Sequence, residues 1–340
     1  MIKLTKKNYM DRDVSWMHFN HRILEEAQRE SVPVLERLSF LGIYSNNLDE
    51  FFRVRMASLN RIVLCKDKGA KDEIHKAHLL LKQLNNLNSQ YAKEYQRAVE
   101  DVMLALRKNH INVIDADQID EEQREFILEF YRKNLVGRIF PTWVESIKHF
   151  DNEADDTIYL IVKISKGGKR TQYAILPLPI GACNRFVRLP DKGEDHYIMY
   201  LDDVVRVCLP MVFPGMDYDS YEAYSFKFTR DAEMEIDNDL RNGFLQKISK
   251  GVKSRKQGEP LRLVYDHKMP GNMLRKVTER LNGNGKLDTA LAGGKYQNHR
   301  DLMGFPSCGR NDLKYPEWPS ISKSDLNEDA SLFKLIREKD

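Results

Sequence analysis

Residues 73–108 read EIHKAHLLLKQLNNLNSQYAKEYQRAVEDVMLALRK, the longest periodic segment of the chain. Its apolar side chains recur at steps of three and four residues, and this spacing places them on one face of a helix. The apolar positions are Ala77, Leu80, Leu84, Leu87, Tyr91, Tyr95, Ala98, Val102 and Leu106. Because a stripe of this length has to be covered, the segment predicts a helical hairpin or bundle.

Two shorter helical patterns precede this segment. The first carries Trp16, Phe19, Ile23, Leu24 and Ala27, and the second, after a start signal at residues 31–33, carries Leu35, Leu38 and Leu41. The pair Asn46-Asn47 interrupts the second pattern, and because Asn adopts left-handed and cap conformations, we expect one helix to end there. Asp49 and Glu50 would then occupy the first turn of the next helix. Residues 1–110 are therefore predicted to form an all-α helical bundle domain.

After Asn109 the pattern changes from helical spacing to alternation. Residues 157–164 and 171–176 flank a Gly-Gly turn, which predicts a β-hairpin. Asp120 and Gln123 have the spacing of a capping box, which opens a further helix. Other strands are predicted at 224–228, half-buried, and at 261–265, with helices near 202–209, 238–250 and 272–281. Residues 111–320 are therefore predicted to be mixed, and the fold class of the whole chain is α+β.

Composition describes a soluble globular protein of two or three domains. The chain has 340 residues, of which 41% are hydrophobic and 31% charged. The chain has 54 Lys and Arg residues and 51 Asp and Glu residues, so its net charge is +3. This small charge excludes a protein surface that is basic overall and binds nucleic acid or membranes through that charge. Any polyanion site must therefore be a local patch.

The sequence shows none of the common targeting or catalytic signatures. No apolar run approaches the roughly 18 residues of a membrane span, and the charged N-terminus does not resemble a signal peptide. The four cysteines, at 65, 183, 208 and 308, form no C-x-x-C pair, so we expect reduced thiols and a cytoplasmic location. The sequence contains no phosphate-binding P-loop, dinucleotide fingerprint, nucleophile elbow or His/Cys metal spacing.

The most informative stretch for function is FLGIYSNNLDEFFRVR, residues 40–55. Two amides lie beside the side chains of Phe40, Ile43 and Tyr44 at the expected helix break. An Asn side chain supplies both a donor and an acceptor, which matches the edge of adenine. The alternative is a capped helical turn packed in a bundle, and the residues alone favour that alternative.

Other clusters carry weaker signals. The alternating carboxylates of residues 231–239 could converge on Mg²⁺, although an acidic, solvated lead into a helix is the simpler interpretation. A basic cluster at Lys247, Lys250, Lys253, Arg255 and Lys256 could face a phosphate chain or be a solvated helix end. Residues 293–296, Gly-Gly-Lys-Tyr, resemble a phosphate cradle only weakly, and the neighbouring His299 is expected to be a surface histidine.

Two long stretches carry a family resemblance. Residues 12–20, RDVSWMHFN, and 36–52, ERLSFLGIYSNNLDEFF, resemble the opening of the histidine-autophosphorylating bacterial polyphosphate kinases. Shorter matches follow in order at 185–190, 228–233, 259–264, 269–270, 293–298 and 336–340. The resemblance covers essentially the whole chain.

This resemblance implies a reversible transfer of the terminal phosphate of ATP to inorganic polyphosphate, through a phosphohistidine and with Mg²⁺. It also implies a helical N-terminal domain on the adenine side of the ATP site, an α+β head domain used in dimerisation, and two C-terminal phospholipase-D-like domains. The residue that matches the family's adenine contact is Asn47, and we expect Phe40, Ile43 and Arg55 to neighbour it.

The two C-terminal domains have no counterpart here, and residues 321–340 are expected to begin a truncated catalytic domain. The phospho-accepting histidine and the Mg²⁺ ligands of the family lie in that missing part, so no catalytic or metal residue is assigned in this chain. His18, His21, His75 and His78 lie in helical patterns, and His299 has only Lys295 and Arg300 as nearby charges. None of these five shows the base–orienter arrangement that would activate an imidazole. We therefore expect the isolated chain to be inactive.

The expected partners are ATP, inorganic polyphosphate and a second copy of the chain in a homodimer or higher oligomer. No nucleic acid and no transmembrane segment are expected, and peripheral association with a membrane is left open. The alternative function is a non-enzymatic module that binds polyanions or nucleic acid through the basic cluster and the helical domain. Binding of nucleic acid with an affinity that falls steeply as the salt concentration rises would favour that alternative.

Overall fold

The computed structural model describes residues 9–64, 68–147, 157–167, 170–230, 260–282, 290–320 and 331–338. Its first part consists of four helices: α1 (Arg12–Gln28), α2 (Val34–Phe51), α3 (Ala57–Leu64) and α4 (Lys71–Lys108). Among the described residues no strand precedes Ile111. The prediction of a helical first part followed by a mixed α+β part is confirmed.

The apolar stripe of α4 forms one wall of the helical core. Seven of its nine predicted positions are buried, and Leu80 and Leu87 pack against the core while partly exposed. Helix α1 begins at the N-cap Asp11, whose carboxylate accepts a hydrogen bond from the Asp13 amide at 2.8 Å. Helix α2 begins directly after Pro33, as the start signal predicts.

The helix break expected at Asn46-Asn47 is wrong. Helix α2 runs through both residues to Phe51, and a π-helical turn, Phe52–Met56, joins it to α3. The Asn47 side-chain amide is hydrogen-bonded to the side chain of Asn20 in α1 and not to the backbone of a helix terminus, so Asn47 is not a helix cap. Asp49 lies in the last turn of α2 rather than in a first turn, and basic side chains from the sheet neutralise it there. Tertiary partners therefore override the local preference of these residues for helix ends.

The second part contains nine strands and four helices among the described residues. They are β1 (Ile111–Ile114), α5 (Glu121–Phe130), β2 (Thr142–Trp143), β3 (Tyr159–Lys166), β4 (Arg170–Pro177), β5 (Phe186–Lys192), β6 (Asp195–Tyr200), α6 (Leu201–Val207), α7 (Leu209–Val212), β7 (Ser220–Arg230), β8 (Pro260–Asp266), α8 (Gly271–Asn282) and β9 (Ala290–Gly293). A last helix, α9 (Leu332–Glu338), follows near the end of the chain. The predicted capping box is present, since Asp120 and Gln123 exchange side-chain to backbone hydrogen bonds.

The strands form two sheets. The larger has the order β2-β4-β3-β7-β8-β9 and the smaller the order β1-β6-β5. The predicted hairpin is the antiparallel pair β3–β4, in which Ile161 faces Ile175. Residues 225–228 of β7 are buried on both faces, so the prediction of a half-buried strand is wrong for them. Ser225 is inaccessible, like Phe226, because α2 and the segment after β9 cover the second face, whereas residues 221–224 are half-buried.

The helical core is completed by residues from the second part. A 3₁₀ segment, His299–Gly304, packs on α2 and inserts Leu302 into the helical core. The contact is close enough to require a glycine at position 42, since a Cβ there would lie 2.7 Å from the Met303 Cγ. The two parts are therefore packed together along α2, and the candidate sites lie along this seam.

No helix in the described ranges combines the length and the apolar character needed to cross a membrane. The helix predicted near 238–250, the acidic run 231–239 and the basic cluster at 247–256 lie outside the described residues.

Candidate functional site

Two asparagines link α1 and α2 through their side chains. Asn20 is buried, and its Nδ2 donates to the backbone carbonyl of Tyr44 at 3.2 Å. Asn47 is half-buried, and its Nδ2 donates to the Asn20 Oδ1 at 3.2 Å. A carbonyl oxygen only accepts, so Tyr44 determines which end of the Asn20 amide faces it. Asn20 must then present its oxygen to Asn47, and Asn47 turns its Nδ2 inward and its Oδ1 away from Asn20.

The three expected neighbours of Asn47 have different surroundings. Phe40 packs against the helical core while partly exposed, and Ile43 is also half-buried. Arg55 forms a two-point ion pair with Asp13, with Nε and Nη2 at 3.0 and 2.9 Å from the carboxylate oxygens. This pair holds the start of α1 against the π-helical turn, so the Arg55 guanidinium has a structural partner.

On another face of α2, the Asp49 carboxylate joins the helices to the large sheet. It accepts from Lys227 Nζ of β7 at 2.8 Å and from Arg262 Nη1 of β8 at 3.1 Å. Lys227 also donates to Asn298 Oδ1, and the Arg262 guanidinium lies 4.3 Å from the Phe52 ring centre. Burial alone would raise the pKa of the Asp49 carboxyl, but the two cations outweigh it and hold the pKa below 3.8. The carboxylate is therefore ionised.

A pocket of about 670 Å³ opens beside this cluster, between α2, α4, β8 and β9. We call it the junction pocket. Tyr44, Tyr95 and Tyr296 supply aromatic lining, and Lys93 and Arg97 of α4 line it with basic groups. Its volume lies within the range of about 300–1,000 Å³ that small-molecule sites occupy. None of the four residues expected around adenine lines this pocket, since Asn47 points from α2 toward α1.

His299 is not the surface histidine that the sequence suggests. It is half-buried in the wall of the junction pocket, with its ring stacked on Tyr95 at 5.4 Å between centroids. Burial, assisted by the positive charge of Arg185, lowers the pKa of the imidazole to about 4. The ring is therefore neutral near pH 7 and acts as a flat, weakly polar surface.

The Gly-Gly-Lys-Tyr segment, residues 293–296, does not form a phosphate cradle. The Lys295 Nζ lies 3.2 Å from an Asp115 oxygen and 3.1 Å from an Asp203 oxygen, so acidic groups already neutralise it. Gly293 is required for packing, because a Cβ there would meet the Val264 Cγ1 at 2.9 Å. The segment follows strand β9 and leads into the 3₁₀ segment His299–Gly304, which packs on α2.

Other histidines do have acid partners, contrary to expectation. His21 Nε2 lies 2.7 Å from Glu94 and its Nδ1 lies 3.4 Å from Glu25, while its ring stacks on Tyr91. Both nitrogens of His21 face carboxylates, an arrangement that fixes the ring rather than leaving one nitrogen free to attack a phosphate. No group of three or more His, Cys, Asp or Glu side chains in the described ranges could hold a metal ion.

Comparison with known proteins identifies the family. A family model described as the polyphosphate kinase N-terminal domain matches residues 9–114, and one described as the polyphosphate kinase middle domain matches residues 122–305. The chain belongs to the polyphosphate kinase family.

Curated relatives match over nearly the whole chain. Polyphosphate kinase from Vibrio vulnificus strain YJ016 is 33% identical over 98% of this chain and 48% of its own length. The Yersinia pestis enzyme is 34% identical over 98% of this chain and 49% of its own, and that of Escherichia coli K12 is 33% identical over the same shares. The chain therefore spans about half the length of the curated relatives it matches.

A solved structure has the same fold. The crystal structure of polyphosphate kinase from Porphyromonas gingivalis is 25% identical, with a TM-score of 0.72. The match covers 97% of this chain and 46% of that one.

Sequence reasoning missed Asn20 and the partners of Asp49. Asn20 lies on the buried stripe of α1, three residues after Met17 and four before Leu24, and a polar residue in such a stripe is a signal that could have been used. The pairing of Asp49 with Lys227 and Arg262 spans 178 and 213 residues of chain, and no local pattern indicates it.

We expect Asp49→Asn to lower the free energy of unfolding at pH 7 by about 3 kcal/mol, because it removes the carboxylate that two buried cations share. The carboxylate's contribution is complete above its ordinary pKa of 3.8 and is lost as the pH falls through the lower folded value. Urea unfolding from pH 7 to pH 3 measures both effects, and the gap between variant and parent should shrink in acid.

Glu50→Gln is the matched control, since Glu50 is the exposed neighbour on the same helix and should change stability by less than about 0.5 kcal/mol. Equal effects of the two substitutions would show that the Asp49 cluster does not hold the helices to the sheet.

Proposed function

We propose that this chain is the adenine-recognition and dimerisation half of a polyphosphate kinase, an enzyme that transfers the terminal phosphate of ATP reversibly to inorganic polyphosphate through a phosphohistidine. The observation that carries the proposal is the ordered match of both family models, residues 9–114 and 122–305, to half of an enzyme of that name. The proposed domains are a helical domain at 1–110, an α+β head domain at 111–320, and the start of a catalytic domain at 321–340.

Asn47 is the proposed adenine contact. Its Nδ2 uses one hydrogen toward Asn20, which leaves the Oδ1 and the second N–H hydrogen for a ligand. This pair of groups complements the amino group and an adjacent ring nitrogen of adenine. Phe40 and Ile43 would supply apolar contact. Arg55 forms an ion pair with Asp13, so its proposed role is to hold α1 in place beside Asn47 rather than to bind a phosphate.

The chemistry of transfer is proposed to come from elsewhere in the enzyme. Phosphoryl transfer requires a nucleophile and cations or a metal around the transferred group. The described residues contain no cluster suited to Mg²⁺, so we derive no metal-dependent step from them. The role left to this chain is to orient the base of ATP.

Two further properties are proposals from the family. The α+β head domain is proposed to form a homodimer, and the protein is proposed to act in the cytoplasm, which agrees with free thiols at Cys183, Cys208 and Cys308. The alternative of a polyanion-binding or nucleic-acid-binding module has less support. Its basic cluster lies outside the described residues, and the family match favours the kinase.

Substituting Asn47 by Ala should weaken ATP binding by about tenfold, the value of one two-point contact to a base. Titration calorimetry of the purified chain gives the affinity, which we expect to be weak because the proposed contact involves only the base of ATP and not its phosphates. Asn46→Ala is the control, since Asn46 is the exposed neighbouring amide on the same helix. Equal binding by the Asn47 variant and the parent would remove Asn47 from the site.

Substituting Asn20 by Ala should reduce base selectivity more than it reduces affinity. With Asn20 present the Asn47 amide has one orientation, and guanine presents two acceptors, O6 and N7, where adenine presents a donor and an acceptor. Without Asn20 the amide can rotate, so the ratio of ATP to GTP affinity should fall by about tenfold.

Val102→Ala, a core substitution in α4 away from Asn47, controls for general destabilisation and should leave that ratio unchanged. An unchanged ratio in the Asn20 variant would show that Asn20 has only a packing role.

The isolated chain should neither autophosphorylate nor elongate polyphosphate. Incubation with γ-labelled ATP and Mg²⁺, followed by an alkaline gel that preserves phosphohistidine, is expected to show no label. A full-length bacterial polyphosphate kinase serves as the positive control. Label on this chain that disappears in the His21→Ala variant would place a nucleophile in this half of the enzyme.

A further inference from the structure

The junction pocket lies on a different face of α2 from the proposed adenine contact. Ser45, Leu48 and Asp49 face the pocket, whereas Asn47 is turned toward α1 by its bond to Asn20. The body of helix α2 thus separates the junction pocket from the surface around Asn47. A ligand can occupy the junction pocket without contacting Asn47. The pocket is not used by the function proposed above.

One wall of the pocket is built from flat rings. Tyr44 stacks on Tyr95 with 5.2 Å between centroids and 22° between ring planes, and Tyr95 stacks on His299 at 5.4 Å and 27°. Because His299 is neutral near pH 7, the stack carries no charge there. Leu48 and Val264 add aliphatic surface. Such a wall suits a planar apolar group.

The other wall carries positive charge. Lys93 and Arg97 lie one turn apart on the exposed side of α4 and form no ion pair with any residue that the structure describes. Holding two like charges at this spacing is unfavourable unless an anion lies between them. The nearest acidic lining group on that helix, Glu100, already accepts a hydrogen bond from Gln96 at 3.0 Å.

Of the seven buried side-chain polar atoms without a hydrogen-bond partner among the described residues, three belong to residues that line this pocket. Three of its lining residues, Tyr44, Asn88 and Arg262, are each more than nine-tenths buried. Within the described part of the chain, the Tyr44 hydroxyl, the Asn88 Oδ1 and the Arg262 Nε have no hydrogen-bond partner. Two of the three are donors, which favours a ligand rich in acceptors.

We propose that the junction pocket binds a small organic anion that carries a flat ring, with the ring against the Tyr44–Tyr95 wall and the anionic group toward Lys93 and Arg97. The site is separate from the adenine contact at Asn47 and holds whether or not that contact is confirmed. Its volume of about 670 Å³ admits a ligand of two or three fused or linked rings.

The test uses two fluorescent probes of nearly the same ring structure and the full chain. Anilinonaphthalene sulfonate carries one negative charge, and N-phenylnaphthylamine carries none. We expect the sulfonate to bind about tenfold more tightly than the neutral probe, because two cations face its anionic group. Fluorescence titration at low salt measures both affinities. In 0.5 M salt, where the Debye length is about 4 Å, the difference between the two probes should be smaller.

Two variants separate the charge from the cavity. The double substitution Lys93→Glu with Arg97→Glu should abolish the preference for the sulfonate and leave binding of the neutral probe unchanged. Ala92→Phe, which places a ring in the pocket from α4, should weaken both probes by about tenfold or more. Lys76→Glu, an exposed substitution on the same helix outside the pocket, is the control for charge.

Several outcomes would overturn the proposal. One is unchanged binding of the sulfonate in the Ala92→Phe variant. Another is a loss of the sulfonate preference in the Lys76→Glu control as large as in the double variant. A third is displacement of the sulfonate by inorganic phosphate at a concentration equal to that of the probe, which would show that the ring is not recognised. Circular dichroism confirms that each variant is folded. Asn47→Ala should leave probe binding intact, so failure of the adenine assignment and failure of the junction pocket give different results.

Discussion

The shared carboxylate of Asp49 is the interaction on which the arrangement of this molecule depends. It lies in the last turn of α2 and neutralises one lysine and one arginine from adjacent strands of the large sheet. Buried ion pairs contribute little net stability compared with apolar packing, but a misplaced partner leaves an uncompensated charge. The cluster therefore selects one registration of the helices against the sheet. The positions of α2, the π-helical turn and the junction pocket all follow from that registration.

Local patterns in the sequence were sufficient for most of the fold. The stripe of α4, the capping box of α5 and the β3–β4 hairpin each depend on residues close together in the chain, and each is present. The failures have one physical cause. Asn47, Asp49 and strand β7 behave differently from expectation because partners far away in sequence satisfy their polar groups or cover their exposed faces.

The candidate site was predictable only in part, for the same reason. The amide at position 47 could be chosen from its chemistry and from a resemblance, but its orientation depends on Asn20 and on the backbone of Tyr44. Orientation is a property of the network rather than of the residue. The junction pocket was not predicted, because its lining combines α2 and α4 with strands β8 and β9, which follow α4 by more than a hundred residues.

The π-helical turn at Phe52–Met56 has a consequence for how this part of the chain can evolve. A π-turn accommodates an additional residue within a helix, and each residue of an α-helix rotates the following side chains by about 100°. Helices α2 and α3 form one rod, in which α2 packs on α1, α4 and the 3₁₀ segment His299–Gly304, whereas α3 packs on α4. Deleting a single residue in the turn would straighten the rod and rotate the apolar face of α3 away from α4. The length of this segment is therefore under stronger constraint than its composition, and variation here should take the form of substitutions rather than insertions or deletions.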